Sequence, residues 1–141
     1  MTVPTAVWQA MLGLFNKMCA ESPLPGVCID VQAPNATLFD GVCYEMTEDQ
    51  IAQFPTLSFT LTNNAVLTYE PQVYLQTLWY CDSSAARSGG KMVGFGLQED
   101  PSGFGTVFGA TFMQQYTTIF DRQNARIGFT RDLPCKSTLC Y

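Results

Sequence analysis

The 141-residue sequence predicts a mostly β domain with two or three short helices. Hydrophobic residues make up 47% of the chain and charged residues only 13%, so there is enough apolar surface to bury a core. From Val27 onward the apolar residues come in short runs broken by turn residues, which is the pattern of strands. Helical spacing is sustained mainly at the start.

There Trp8, Met11 or Leu12, Phe15 and Met18 recur three or four residues apart, with Gln9, Asn16 and Lys17 between them. They predict an amphipathic helix over Pro4 to Met18, its Trp and Met stripe packing into the core. Pro4 suits a first turn, where a missing N–H costs nothing, and Pro23, Pro25 and Gly26 end the helix. In Phe54–Leu61 the residues Leu57, Phe59 and Leu61 alternate with Thr56, Ser58 and Thr60, a half-buried strand. Asn63-Asn64 marks a turn, and Val66–Tyr69 pairs back as the second arm of a hairpin. Gln72–Tyr80 reads as a further strand. Residues 82–105 are rich in Ser and Gly and read as loop, with Met92–Leu97 a strand inside it; long loops of this kind are often binding surfaces. A short helix follows near Ala110 to Gln115. Tyr116–Phe120 then runs to Asp121, Arg122–Ala125 supply a turn, and Arg126–Phe129 returns. Asp121 and Arg126 flank that turn as an opposite-charge cross-strand pair with a purely structural role.

Composition excludes several functions. Lys and Arg number 7 against 12 Asp and Glu, a net charge of -5, and no basic run could track a phosphate backbone, so no nucleic-acid partner is expected. The chain has no histidine, which removes Ser-His-Asp and Cys-His catalysis and every His-ligated metal or haem site. No cofactor and no metal is called for. No run approaches the roughly 18 apolar residues of a membrane span, and residues 1–15 lack the basic start and unbroken apolar core of a signal peptide. Cys19, Cys28, Cys43, Cys81, Cys135 and Cys140 are even in number and include no C-x-x-C pair, which points to disulfides in an oxidising compartment and leaves fifteen pairings open. The sequon at Asn35 agrees with a secretory setting.

The stretch Gly105–Phe129, with Val107-Phe108-Gly109 ahead of the short helix and Phe120-Asp121-Arg122 leading to Arg126-Ile127-Gly128-Phe129, resembles the closing signature of the pepsin-like aspartic peptidases. Weaker likeness runs upstream through Phe54–Phe59 and Pro71–Leu75 to Val3-Pro4, so it spans nearly the whole chain. Ala110, where many members carry Asp, is similar to the memapsin, or β-secretase-like, branch. The resemblance implies the C-terminal lobe of the pepsin-like acid protease fold, with residues 1–141 a partial lobe that starts just after the second catalytic Asp loop. It implies a psi-shaped loop that sets Val107-Phe108-Gly109 beside the catalytic turn.

Family chemistry needs two Asp-[Ser/Thr]-Gly loops, one per lobe. This sequence has neither: Asp82-Ser83-Ser84-Ala85 lacks the glycine and Asp40-Gly41 lacks the hydroxyl residue. No catalytic residue is therefore assigned, and the chain alone is expected to be inactive. Its expected partners are the missing N-terminal catalytic lobe and, in the intact enzyme, a peptide or protein substrate. The contrasting expectation is a catalytically dead, disulfide-stapled β module that binds peptides or a protein. By the same resemblance Cys43 pairs with Cys81; Cys19 with Cys28 and Cys135 with Cys140 are the simplest remaining pairs, although Cys135 and Cys140 also have the upstream region open to them. Met92, Phe95 and Leu97 are candidate walls of the substrate cleft, with core packing the competing role for Phe95 and Leu97. The full protein is expected in the secretory pathway: extracellular, vacuolar, lysosomal or membrane-anchored.

Overall fold

The apolar stripe of the first segment folds as α1 (Thr5–Glu21), burying Trp8, Met11 and Phe15. The computed structural model describes residues 1–28, 37–61 and 63–131, so Asn35, Cys135 and Cys140 lie outside the described residues. Pro4 stands at the N-cap of α1, and the Ser22 amide closes its last turn on the Met18 carbonyl at 2.8 Å. A 3-10 turn at Leu38–Asp40 and β2 (Tyr44–Met46) follow. Next comes α2 (Glu48–Ile51), a single turn begun by a capping box in which Thr47 and Gln50 satisfy each other's amides.

The predicted hairpin is β3 (Leu57–Thr60) against β4 (Val66–Tyr69), Phe59 opposite Leu67. Asn64 adopts the left-handed conformation that the Asn-Asn signal anticipates, with φ 61°. Gln72–Tyr80, expected as a strand, is mostly not one. Pro71 opens a helical turn, α3 (Pro71–Tyr74), before the brief β5 (Leu75–Gln76), because proline at the first position presets the helical φ and lacks only an unneeded donor. The predicted strand inside the Ser/Gly-rich region is β6 (Lys91–Phe95), joined by β7 (Gln98–Asp100). The one-turn α4 (Ala110–Met113) then leads into β8 (Tyr116–Asp121) and β9 (Arg126–Arg131). Sequence reading thus anticipated α1 and α4; the structure adds the single turns α2 and α3 to the mostly β framework.

β2, β6 and β5 form an antiparallel sheet in that order, while β3–β4 and β8–β9 are separate hairpins. β1 (Thr2–Pro4) lies parallel to β7, in register Val3 with Glu99. The core between these pieces is aromatic. Phe95 sits edge-on to Phe39 at 4.9 Å and against Trp8, Phe15 and Tyr74 at 6.1, 6.0 and 5.5 Å. A second cluster stacks Phe112 on Tyr116 at 4.8 Å and on Phe108 at 4.2 Å, with Phe129 edge-on. Tyr116 ties this end to β4: its hydroxyl accepts from the Thr68 amide and donates to the Thr68 carbonyl, both at 2.8 Å.

Candidate functional site

Residues 1–4 thread between two segments that are distant in sequence. On one side β1 runs along β7; on the other Thr2 exchanges amide-to-carbonyl hydrogen bonds with Val107, at 3.0 and 3.1 Å. Met1 is fixed by its carbonyl, which accepts from the Gln98 amide at 3.0 Å, and by its nitrogen, which donates to the Gly96 carbonyl at 3.0 Å. Gly109 faces this point, a β-carbon built there lying 3.8 Å from the Met1 nitrogen. The central strand of a psi-shaped arrangement is thus occupied by Met1–Pro4, flanked by β7 and Val107.

The connection from β7 to Val107 turns at the Pro4 end of this strand, away from Met1. Asp100 accepts from both the amide and the hydroxyl of Ser102, and Gly103 and Gly105 take φ of 79° and 99°, conformations that a side chain would resist. This tight loop presents Phe104 at 91% exposure, next to the half-exposed Val107. Sequence reading placed the binding surface between Cys81 and Thr106 without singling out Phe104; a lone aromatic between two glycines was the available signal.

Met92, Phe95 and Leu97 sit differently. Met92 is half-buried on β6, whereas Phe95 and Leu97 are 2% and 1% exposed and pack the core, showing only an edge to a depression of about 310 Å³ bounded also by Trp8, Asp40, Tyr80 and Glu99. A larger apolar groove of about 580 Å³ runs between α1 and β3, walled by Met11, Leu14, Met18 and Phe59, and takes no residue from β1, β7 or the Phe104 loop.

Cys43 is bonded to Cys81 and Cys19 to Cys28. The first of these closes a separation of 38 residues, worth roughly 3–4 kcal/mol by loop entropy. Beside it Glu45 pins the following loop, its carboxylate accepting from the amides of Arg87, Ser88 and Gly90 at 2.9, 2.6 and 3.0 Å. Gly90 is required there, since a β-carbon would lie 2.8 Å from the Met46 carbonyl oxygen.

No described carboxylates form a shared acid pair. Asp40, Asp82, Asp100 and Asp121 each cap a local turn, through Thr37, Ser84, Ser102 and Asn124 respectively. Hydrogen bonds from the turn residues hold all four below the ordinary carboxyl pKa. Glu45 is lowered by the loop amides, and Glu70 by Thr56 and Arg131. Asp121 also takes the expected partner, Arg126, at 2.7 Å. Such groups stay ionised and are poor proton donors.

The profile of the family described as xylanase inhibitor C-terminal matches residues 1–131. The chain belongs to that family. The xylanase inhibitor C-terminal domain is a pepsin-like aspartic-protease-family domain, which accounts for the mostly β lobe and the psi-shaped crossing at Met1–Pro4. No curated protein matches the chain. Among described residues of this xylanase inhibitor C-terminal domain no cluster of potential metal ligands occurs and no helix is long and apolar enough to cross a membrane.

Proposed function

We propose that this domain is one lobe of a two-lobed pepsin-like aspartic endopeptidase, forming one wall of its substrate cleft while two Asp-[Ser/Thr]-Gly turns outside residues 1–141 supply the carboxylates. The observation that carries this reading is the threading of Met1–Pro4 between β7 and Val107, with Gly109 against the Met1 nitrogen. A turn entering immediately ahead of Met1 would emerge beside Gly96 and Gly109, which the Met1 nitrogen faces. In such a site two like charges held close together cannot both ionise, so one carboxyl stays protonated to polarise the substrate carbonyl while the other activates water. Met92 is retained as a wall residue. Ala110 fits the memapsin-like branch, which is understood to be active, and the two disulfides fit an oxidising secretory compartment.

The hairpin supports a companion lobe. Phe120 and Ile127 face each other across β8 and β9 at 69% and 58% exposure, beyond the reach of the aromatic core. Apolar cross-strand pairs left open in this way are typical of surfaces that another unit covers.

A second reading is a lobe that binds a protein or peptide and catalyses nothing. The inhibitor description of its family favours it. Two assays separate them. The oxidised 141-residue chain, offered a broad peptide library from acidic to neutral pH, should release no product, because general acid–base chemistry on water needs paired carboxyls. A longer protein joining it to the preceding catalytic turn and the other lobe should cleave peptides, and a transition-state-analogue inhibitor of aspartic peptidases should block it. Binding without cleavage by that longer protein would establish the second reading instead.

A further inference from the structure

We propose that the depression bounded by Asp40, Tyr80 and Glu99 is a subsite for a cationic side chain of a peptide or protein ligand, arginine above all. This goes beyond the peptidase reading and needs no catalytic pair. The depression holds about 310 Å³, its floor made of Trp8, Phe39, Phe95 and Leu97 and its rim of Asp40, Gly41, Tyr80, Gln98 and Glu99. An apolar aromatic floor under an acidic, amide-bearing rim suits a side chain with a long aliphatic stem and a charged head.

Charge on the rim is one-sided. No Lys or Arg lines the depression, and the described ion pairs occupy Glu48, Asp121 and Glu70 and leave Asp40 and Glu99 out. The Thr37 amide and hydroxyl both bond to Oδ2 of Asp40, at 2.9 and 2.7 Å, and among the described residues Oδ1 has no partner and faces outward for a ligand. The same two bonds hold the Asp40 carboxyl below its ordinary range, so its charge persists in mild acid. Position is fixed by the capping box at Leu38–Asp40 for one carboxylate and by the β1–β7 pairing for the other. Tyr80 supplies an aromatic ring on the rim, extended by Trp79, whose ring lies edge-on at 5.6 Å and is 95% exposed. A planar guanidinium can stack on such a ring while its fork of donors reaches carboxylates, which an ammonium cannot do equally well.

The test titrates N-acetyl-arginine amide, and its neutral isostere N-acetyl-citrulline amide, into the isotope-labelled oxidised chain at low salt while amide resonances are followed. Arginine amide should move Gly41, Gln98, Glu99 and the Trp8 indole and bind at least about 10-fold tighter than citrulline amide, the ratio expected of one charge-assisted hydrogen bond. Glu99→Gln combined with Asp40→Asn should remove that preference, and Leu14→Ser, in the separate groove, should preserve it. Equal affinity for the two amides would overturn the proposal. So would unchanged arginine binding in the double variant with its other resonances in place, or no shift at those amides up to about 20 mM ligand, well above millimolar affinity.

Discussion

Phe95 shows how one residue type serves two roles that a sequence cannot separate. A cleft wall and a core contact both ask for an apolar side chain on a strand, and the Val93, Phe95, Leu97 alternation with Gly94 and Gly96 satisfies either. The structure places Phe95 among Trp8, Phe15, Phe39 and Tyr74 at 2% exposure. Phe95→Ala should therefore lose about 3–5 kcal/mol of stability, the cost of a large cavity in a packed core, measured as a lower urea midpoint with an unchanged slope. A variant of wild-type stability would return Phe95 to the surface. Phe104 is the opposite case. Its exposure depends on Asp100 holding Ser102 and on two glycines at positive φ, and the sequence showed only the glycines.

At the scale of elements, the β8–β9 hairpin makes the clearest prediction. Phe120 and Ile127 pair with each other but touch little else, so replacing both with serine should change folding stability by no more than about 0.5 kcal/mol each. It should also reduce self-association of the isolated chain, measured by light scattering; an undiminished association would place the sticky surface elsewhere. This hairpin was legible in the sequence because its signals are local: a short turn, a flanking charge pair and alternating residues. α1 and the β3–β4 hairpin were legible for the same reason. α3 was missed because Gln72–Tyr80 carries strand-forming residues that Pro71 overrides for one turn. β1 was missed because three residues carry no period, and their pairing with β7 and Val107 is set wholly by partners about a hundred positions away.

For the whole molecule, acid tolerance follows from the direction of its pKa displacements. Asp40, Glu45, Glu70, Asp82, Asp100 and Asp121 are all lowered from ordinary values of 3.8 for Asp and 4.5 for Glu. A carboxyl with a depressed folded pKa stabilises the fold above its unfolded pKa and loses that contribution as pH falls through the folded one. The sequence has no histidine, so above the carboxyl range only a shallow slope is expected, from the Met1 amino group that burial holds below its ordinary value, and the melting temperature should drop steeply only below about pH 4. A steep decline between pH 7 and pH 5 would contradict that assignment. The threading of Met1–Pro4 has a consequence in time as well as in space. Its bonds span 95 residues, so at about 5–20 residues per second a ribosome delivers the partner strand roughly 5–20 s after the strand it must receive. Throughout that interval Val3, Trp8, Met11 and Phe15 have no finished core to enter. The strand of this pair that is made first is thus expected to be among the last elements of the domain to lock, and pulse-labelled hydrogen exchange during refolding should find the Val3 amide protected later than those of β3–β4 and β8–β9.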